Sequence, residues 1–457
     1  MMMNNLVIIG GSDAGISAAL RARELDSVVE ITLILADSYP NFSICGLPFF
    51  LSGEVSDWRS LAHRTKSEIE QSGIRILLNN RAGAIDVDRK IIQVVGPEGQ
   101  TSELSYDKLV IGTGAESIKP DIKGIDLPGV FVLRWMNDSF AVRKWLTEHE
   151  PQSALIVGGG YIGMEMADAL SLRGLSVTVV EFAETVLTTV DKALGEKVAE
   201  ELQRHGVSVV TGVGIQSFEA GGTGLSVRGM KGFSAVADLV LVAVGCRPST
   251  ALVEGTGIQT GIKGAIKINR RMQTCVADIY AAGDCVETWH NLLNKFTYLP
   301  LGTTAHKQGR VAGENAIGGN REFAGSLGTQ AVKIFDLVAA RTGLRDIEAE
   351  EAGFDAFTDQ FETWDHKVYY PGAERMIIRI TGDRKSRRLL GAQIVGHRKS
   401  EVSKRIDIIA AAIFSNMTVE QLSDLDLSYT PPLSSPWDPI QMAAQAWVRK
   451  LDWLQTR

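Results

Sequence analysis

Short apolar runs recur along this chain of 457 residues, and several are followed by glycines and then by a helical pattern. The first run is Leu6-Val7-Ile8-Ile9, a segment rich in β-branched residues that is typical of a buried strand. Residues 16–20 then open a helix, and residues 30–37 form the next strand-like run. This alternation of strands and helices predicts an α/β fold with parallel sheets.

The glycine turn after the first strand is a candidate nucleotide site. Its G-x-x-x-x-G pattern lets the backbone approach a pyrophosphate at the start of the helix. The candidate cofactor-binding residues of the turn are Gly10, Gly11, Asp13, Ala14 and Gly15. Such turns also occur without a ligand, but the next strand ends at Asp37, and an acid there normally binds a ribose hydroxyl.

A second strand, glycine turn and helix begin at residue 154, and here the G-x-G-x-x-G pattern is complete. The candidate residues of this turn are Gly158, Gly160, Tyr161, Ile162 and Gly163. The following strand, residues 176–181, ends in Glu181, which would accept a hydrogen bond from the 2′-hydroxyl of an adenosine ribose. Glu181 would repel a 2′-phosphate, and no Arg follows it closely, so NADH is favoured over NADPH.

The two units can be aligned on their strands. Leu35 then stands where the second unit has Glu181, and Asp37 comes two residues later. We predict that Asp37 reaches the ribose around the strand end; the alternative is that this contact is missing. Two dinucleotide units imply two bound nucleotides. NADH and a flavin form the natural pair, because a flavin can accept a hydride and pass electrons to sulfur or oxygen.

Composition excludes several other classes of protein. The net charge of −7 argues against a nucleic-acid partner, since nucleic-acid binders usually carry a basic stripe. The chain has no apolar run of membrane-spanning length and no secretory leader, so we predict a soluble, cytoplasmic protein. Its four cysteines are widely spaced, and this spacing signals neither a metal site nor a disulfide framework.

The final third of the chain differs in composition from the two glycine-rich units. From about residue 328 it mixes alternating strand patterns with turns, a helical run over 400–414 and a Pro-rich tail. We find no glycine-rich phosphate loop in this part of the sequence. It is therefore predicted to be a third domain without a nucleotide of its own.

Cys45 is the candidate redox residue, since a single thiol stands there between turn-forming residues just after a strand-like run. Free cysteines are often simple buried apolar residues, and that interpretation is kept for Cys246, Cys275 and Cys285 as core fillers. If Cys45 is the nucleophile, its pKa must be lowered by a helix start, the flavin or a neighbouring donor. Gly46-Leu47-Pro48 is consistent with a helix beginning directly after it.

Taken together, these motifs resemble the flavoprotein pyridine nucleotide-disulfide oxidoreductases over essentially the full length of the chain. The resemblance implies two Rossmann-like dinucleotide-binding domains, for FAD and NADH, and a C-terminal α+β dimerisation domain. The implied ranges are 1–115 with 271–325 for FAD, 116–270 for NAD(P)H and 328–457 for dimerisation. Further cofactor residues implied by the resemblance are Ser43, Thr113, Gly114, Gly245, Gly283, Asp284, Leu301, Gly302 and Thr303.

The segment Cys45-Gly46-Leu47-Pro48-Phe49 resembles the single-cysteine branch of this family, since positions 40 and 50 carry no second cysteine. That branch includes coenzyme A-disulfide reductases, NADH:polysulfide reductases, and NADH oxidases and peroxidases. Asp13 stands where peroxidases and oxidases usually carry a catalytic His, which argues against peroxide chemistry. Asn41 replaces a Ser that coenzyme A-disulfide reductases have before their cysteine, so the substrate is left open.

Resemblance to coenzyme A-disulfide reductases also implies a role for Tyr369 and Tyr429. In those enzymes two tyrosines from the partner subunit's C-terminal domain reach the redox cysteine, and simple interface packing is the alternative here. The expected protein is a homodimer that binds FAD and NADH, with NADPH as the alternative, and reduces a small-molecule disulfide, persulfide or polysulfide through Cys45. Two rival functions are an NADH oxidase with Cys45 as a sulfenate and a redox sensor with negligible turnover.

Overall fold

The computed structural model describes residues 5–222 and 224–456. The first stretch of chain contains eight strands and three helices in the described residues. The strands are β1 (Asn5–Ile9), β2 (Glu30–Ile34), β3 (Ile74–Leu77), β4 (Arg81–Asp86), β5 (Ile91–Val95), β6 (Thr101–Ser105), β7 (Lys108–Ile111) and β8 (Ala115–Ser117). The helices are α1 (Asp13–Leu25), α2 (Leu47–Ser52) and α3 (Lys66–Gln71).

The middle of the chain forms the second unit. Its strands are β9 (Val130–Val132), β10 (Ser153–Val157), β11 (Ser176–Glu181), β12 (Ser208–Thr211), β13 (Ile215–Gly221), β14 (Gly224–Gly229), β15 (Ser234–Ala237), β16 (Leu239–Val242) and β17 (Cys246–Pro248). Its helices are α4 (Met136–Glu148), α5 (Tyr161–Leu172) and α6 (Lys192–Arg204).

The last stretch returns to the first unit and then builds the C-terminal unit. Its strands are β18 (Ile279–Ala281), β19 (Thr288–His290), β20 (Lys295–Thr297), β21 (Gln330–Ile334), β22 (Leu337–Gly343), β23 (Ala356–Trp364), β24 (Arg375–Asp383) and β25 (Leu389–His397). Its helices are α7 (Gly302–Ala316), α8 (Asp346–Glu351), α9 (Val402–Phe414), α10 (Val419–Ser423) and α11 (Pro439–Gln455).

Two five-stranded parallel sheets carry the two glycine turns, as an α/β fold requires. The first has the order β18-β7-β1-β2-β3, and the second has the order β12-β11-β10-β16-β9. Strand β18 joins β7 although about 170 residues of sequence separate them, so the first sheet is completed only after the second unit. Ligands bind at the carboxyl ends of strands in such sheets, which is where both glycine turns lie.

The C-terminal unit is an antiparallel sheet of order β21-β22-β25-β24-β23, with α9 and α11 packed against it. Its core includes Trp447, which is fully buried and donates a hydrogen bond from its indole nitrogen to the Phe357 carbonyl. The fold is thus the predicted one, two Rossmann-like units followed by an α+β unit. No helix within residues 5–222 and 224–456 is both long and apolar enough to cross a bilayer.

The cysteines outside the candidate site correct one expectation. Cys285 is buried as predicted, but Cys275 is exposed and Cys246 is only partly buried. Cys275 sits in a surface turn, where its sulfur donates to the Gly257 carbonyl and accepts from the Gln259 amide, each at 3.4 Å. The interpretation of Cys275 as a core filler was therefore wrong, because the apolar residues near it in sequence belong to a turn.

Candidate active site

The first glycine turn brings the start of α1 against the end of β7. Gly10 has a φ of +104°, and a Cβ there would lie 2.1 Å from the Gly112 carbonyl oxygen. A Cβ on Gly15 would lie 1.8 Å from the Gly10 carbonyl oxygen. Only glycine fits this close approach, which leaves the first amides of α1 facing the open edge of the sheet.

The second glycine turn repeats this geometry with an acid in place. Gly158 has a φ of +107°, and a Cβ on Gly160 would meet no atom of the described chain within 4 Å, so the backbone there is open to a ligand. The Glu181 carboxylate accepts from the Gly159 amide at 2.5 Å and from the Ala183 amide at 2.7 Å. These two bonds hold the acid beside the turn, where a ribose hydroxyl would lie.

The other predicted residues of this unit flank the same turn. Tyr161 and Ile162 open α5, and Gly163 packs so closely that a Cβ would lie 2.0 Å from the Gly158 carbonyl oxygen. Gly245, with a φ of +108°, lies between β16 and β17 at the carboxyl edge of the sheet. The second turn and its predicted residues are thus gathered at one edge.

The alignment of the two units holds in three dimensions. The Gly10 amide donates to the Ile34 carbonyl just as the Gly158 amide donates to the Val180 carbonyl. Leu35 therefore occupies the position of Glu181, and its buried side chain fills the space beside Gly11. Asp37 lines the neighbouring cavity and accepts a hydrogen bond from the Tyr39 amide at 2.8 Å, while burial raises the pKa of its carboxyl group.

A cavity of about 630 Å³ opens between the first glycine turn and the Cys45 segment, and its volume lies in the range of cofactor pockets. The predicted cofactor residues that line it are Gly10, Gly11, Asp13, Ala14, Asp37, Thr113, Gly114, Gly283, Asp284 and Gly302. In the described chain, four others do not line it but are sequence neighbours of residues that do: Gly15, Ser43, Leu301 and Thr303.

The polar groups of this cavity fit a dinucleotide. Asp284 pairs with Arg134 at 2.5 Å, yet its Oδ1 atom and the Arg134 Nε atom are buried without a partner in the described chain. Buried polar atoms of this kind normally have a partner, so they are available to a ligand that brings hydroxyl and phosphate groups. The start of α7 also faces the cavity at Gly302, where its amides favour negative charge.

Cys45 lies on a short 3₁₀ turn, Ile44–Gly46, and faces this cavity. Helix α2 begins at Leu47 with Pro48 in its first turn, as the sequence predicted. Burial, together with the carboxylates of Glu165 and Asp13, raises the pKa of the Cys45 thiol, and Arg134 opposes them. The sequence predicted that a helix start, the flavin or a neighbouring donor lowers this pKa; the protein groups around the thiol do not achieve this on balance, which leaves the flavin.

Aromatic side chains fix the segment that leads into Cys45. The Tyr39 ring contacts those of Phe42, Trp58 and Phe140 edge-on, with centroids 5.5–5.7 Å apart. Phe42 also stacks on Trp58 at 5.6 Å. Such contacts add about 0.5–1.5 kcal/mol each to the burial of the rings. The cluster thereby holds the Cys45 segment in one position beside the cavity.

Glu165 is a site residue that the sequence reasoning missed. It lies on α5, which begins at the second glycine turn and packs against α2 next to Cys45. Burial and the nearby Asp168 raise the pKa of Glu165 to about 7, although Lys333 acts in the opposite direction. Lys333 itself is paired with Asp168 at 2.7 Å. Two carboxylates inside an otherwise apolar helix, Glu165 and Asp168, were the signal available in the sequence.

We expect Glu165→Gln to stabilise the holoenzyme at pH 8 but not at pH 5. The folded protein keeps the Glu165 proton up to about pH 7, whereas the unfolded chain loses it near 4.5. Stability therefore falls as the pH rises through this window, by up to about 3 kcal/mol at 1.36 kcal/mol per pKa unit. Denaturant unfolding at both pH values measures the difference.

The control for this prediction is Glu148→Gln, a substitution at the end of α4, where the side chain is 54% exposed. It should change stability little at either pH. Equal stabilisation by Glu165→Gln at pH 5 and pH 8 would contradict a buried carboxyl group that titrates near neutrality.

Tyr369 and Tyr429 lie together on the surface of the C-terminal unit, and neither lines the cavity of its own chain. They are 74% and 44% exposed, and a hydrogen bond joins their side chains. Other exposed apolar residues lie close to them in sequence, namely Val368, Tyr370, Leu433 and Trp437. An exposed aromatic patch of this kind is typical of an interaction surface.

A buried arginine holds the two tyrosine segments together. Arg405 donates to the carbonyls of Asp365 at 2.9 Å and Leu433 at 3.2 Å. It also pairs with the buried Asp438 at 3.0 Å. The loop before Tyr369 and the segment after Tyr429 are thus tied to one side chain on α9. This network explains how residues 60 positions apart can present one surface.

The chain combines two nucleotide turns on parallel sheets, a thiol that faces the first cavity and a third unit with an aromatic surface. This combination is typical of an oxidoreductase that binds two nucleotides. The chain belongs to the pyridine nucleotide-disulphide oxidoreductase family, whose model matches residues 4–309, and the family's dimerisation domain matches residues 329–439. It is thus an FAD- and NAD(P)H-dependent oxidoreductase.

Individual relatives show which members of the family the chain is similar to. An NAD(P)H coenzyme A polysulfide/persulfide reductase from Pyrococcus horikoshii is 32% identical over 453 residues, covering 97% of this chain and 98% of the relative. An NADH oxidase from Methanocaldococcus jannaschii is 32% identical and covers 97% and 99%. The solved structure of an NAD-dependent persulfide reductase from A. fulgidus has a TM-score of 0.94 and 37% identity, covering 98% of this chain and 84% of that one.

Proposed function

We propose that the protein reduces a small-molecule disulfide, persulfide or polysulfide with electrons from NADH, and that Cys45 is the sulfur that reacts. One observation carries this proposal. Cys45 is the only cysteine of the described chain that lines the cavity formed by the first glycine turn and Asp284. A thiol that faces the cofactor cavity can exchange electrons there, whereas none of the other three thiols lines it.

The reaction at Cys45 follows thiol–disulfide exchange. FAD, when bound, accepts a hydride from NADH and supplies two electrons to sulfur. The Cys45 thiolate attacks one sulfur of the substrate, the S–S bond breaks, and a thiolate leaves and takes up a proton. The mixed disulfide on Cys45 then receives two electrons, which frees the second thiol and restores the Cys45 thiolate. Glu181 holds the ribose of NADH during this cycle.

We assign the cofactor-binding units as residues 1–115 with 271–325 for FAD and 116–270 for NAD(P)H, and we assign 328–457 to a homodimer interface. The exposed aromatic patch around Tyr369 and Tyr429 supports the dimer, because burial of apolar surface drives association. In this arrangement the two tyrosines of one subunit approach Cys45 of the other.

Two observations support a sulfur compound as the substrate. The Pyrococcus relative is a coenzyme A polysulfide/persulfide reductase, and the A. fulgidus structure is a persulfide reductase. In addition, Asp13 stands in the first turn, where the resemblance places the His of peroxide-reducing members. A sulfur acceptor, with coenzyme A as one candidate thiol, is therefore favoured over a peroxide.

An NADH oxidase is the second candidate function, and the Methanocaldococcus relative favours it. One assay separates the candidates: NADH consumption by the holoenzyme with coenzyme A disulfide, with polysulfide, or with oxygen alone. Consumption that depends on a sulfur acceptor supports the proposal. Rapid consumption with oxygen alone identifies an oxidase, and negligible consumption under all conditions identifies a sensor.

NADH should be the better electron donor. The Glu181 carboxylate would face the 2′-phosphate of NADPH, and a repelled or unpaired charge costs more than about 1.4 kcal/mol, or roughly tenfold in kcat/KM. Steady-state kinetics with both nucleotides measures the ratio. An equal or higher kcat/KM for NADPH would contradict the assignment of Glu181.

A further inference from the structure

The connecting segment, residues 186–191 between β11 and α6, lies directly against the second glycine turn. The Leu187 amide donates to the Gly159 carbonyl at 2.7 Å. A Cβ on Gly159 would stand 3.0 Å from the Val186 side chain, so the segment and the turn are in close contact. Leu187 has a φ of +50°, a conformation that leucine rarely adopts, so the surrounding contacts must hold it there.

Two arginines of the C-terminal unit bind the backbone of the connecting segment. Arg341, on β22, donates to the Thr189 carbonyl at 2.7 Å. Arg345, directly before α8, donates to the carbonyls of Thr188 at 3.0 Å and Val190 at 3.4 Å. Three consecutive carbonyl groups thus accept hydrogen bonds from guanidinium groups of another unit. Bonds from a charged donor are stronger than bonds between neutral groups.

The Glu348 carboxylate fixes both arginines. It accepts from Arg341 at 2.7 Å and from Arg345 at 3.0 Å, and it also accepts from the Arg345 backbone amide at 2.9 Å. Burial raises the pKa of Glu348, but Arg341 and Arg345 together lower it to about 2. The carboxylate is therefore charged at neutral pH, and the two guanidinium groups are held in place.

Asp191 makes a third tie at the end of the connecting segment. Its carboxylate accepts from Arg379 Nε at 2.8 Å and from the Gln393 side-chain amide at 2.6 Å. The Asp191 backbone amide donates to Gln393 Oε1 at 2.6 Å. Asp191 stands at the N-cap of α6, where an aspartate normally bonds to amides of its own helix. In the described chain its carboxylate makes no such bond and binds the C-terminal unit instead.

We propose that Arg341, Arg345 and Arg379 are positioning residues for the NAD(P)H site. They hold the connecting segment against the second glycine turn, so the amides of the turn keep the geometry that binds a pyrophosphate. Nucleotide binding thereby depends on the unit that carries the two exposed tyrosines. This inference rests on the proposed assignment of NAD(P)H to the second unit and needs no particular sulfur substrate.

A link of this kind acts in both directions. If the ties favour the form of the turn that binds nucleotide, a bound nucleotide stabilises the ties by the same free energy. Without one tie the turn still contains its glycines and Glu181, so binding should weaken but persist. The sulfur half-reaction at Cys45 should keep its rate.

Calorimetric titration of the holoenzyme with ADP-ribose measures the effect on binding. Arg379→Gln should weaken binding about tenfold, which lies within the usual range of coupling between sites. Arg379→Lys keeps the charge and should recover part of the loss. Arg384→Gln removes an ion pair with Asp355 elsewhere in the C-terminal unit and should change nothing. If neither Arg379→Gln nor Arg341→Lys weakens binding in variants that retain FAD, the proposal is wrong.

Asp191→Asn tests the third tie from the other side. Asparagine caps a helix about as well as aspartate, so α6 keeps a favourable N-cap residue. The variant should weaken ADP-ribose binding to the same extent as Arg379→Gln. The double variant should bind no more weakly than either single variant, because all three lack the same ion pair. Additive losses would show that the two side chains do not act through their contact, and would overturn the proposed link.

Hydrogen exchange measures the reverse effect without turnover. Saturating ADP-ribose should slow exchange of the Arg345 amide about tenfold in the wild-type holoenzyme, although this amide belongs to the C-terminal unit. Arg379→Gln should reduce that protection. Absence of protection at the start of α8, with ADP-ribose bound, would contradict the link. A protein that shows these effects but reduces no disulfide, persulfide or polysulfide would refute only the proposed reaction.

Discussion

Cys45→Ser is expected to abolish sulfur reduction while NADH still bleaches the flavin absorbance. The serine hydroxyl is a far weaker nucleophile than a thiolate and cannot form the mixed disulfide. Removal of a catalytic nucleophile costs on the order of 10³-fold or more in kcat. The Gly and Asp residues that line the cofactor cavity are untouched, so FAD content should be unchanged. Stopped-flow absorbance and disulfide-dependent NADH consumption measure the two steps separately.

The matched control for this experiment is Cys275→Ser, which removes an exposed thiol that does not line the cavity. It should retain full activity. Oxygen consumption should be measured in the same experiment, because an oxidase that uses Cys45 as a sulfenate would also change the product that it forms from oxygen. Full disulfide turnover by Cys45→Ser would be incompatible with the proposed role of this residue.

Tyr429→Phe is expected to slow the sulfur half-reaction by about 10²-fold, the lower range of general acid catalysis. A departing thiolate needs a proton, and a phenol can supply one without adding charge to the site. Desolvation and the hydrogen bond with Tyr369 raise the pKa of Tyr429, so the phenol keeps its proton at neutral pH. Flavin reduction by NADH should proceed at the normal rate. Tyr370→Phe, in the same loop as Tyr369, is the control.

Mixing two inactive variants shows whether the tyrosine acts across the interface. In a heterodimer of Cys45→Ser and Tyr429→Phe subunits, one site carries both defects and the other carries neither. Random exchange of equal amounts should then restore about a quarter of wild-type activity. Subunit exchange must be shown independently, for example with differently tagged chains. No recovery despite exchange would mean that Tyr429 does not serve the Cys45 of the partner subunit.

The local parts of both nucleotide sites could be predicted from the sequence. The glycine turns, the acid at Glu181, the start of α2 after Cys45 and the correspondence of Leu35 with Glu181 all follow from short stretches of chain. Each depends on steric limits that act within a few residues, such as the positive φ of Gly10 and Gly158. Tertiary contacts modify such features little, and this is why the interpretation of both turns needed no structure.

Features that depend on electrostatic environment could not be read in this way. The raised pKa of Cys45 results from burial and from carboxylates on α1 and α5, which are distant in sequence. The pKa of Glu165 near 7 depends on Lys333 from the C-terminal unit as well as on burial. The exposure of Cys275 was missed for a related reason, since its surroundings are set by the packing of a turn.

The sequence by itself therefore determined the fold class, the two nucleotide turns and the identity of the redox thiol as a candidate. Only the tertiary structure decided which groups share a surface. Arg405 joins the segments of Tyr369 and Tyr429, and Arg341 joins the C-terminal unit to the connecting segment. The physical reason is that backbone geometry is local, whereas desolvation, ion pairing and shared surfaces depend on residues that meet only when the chain has folded.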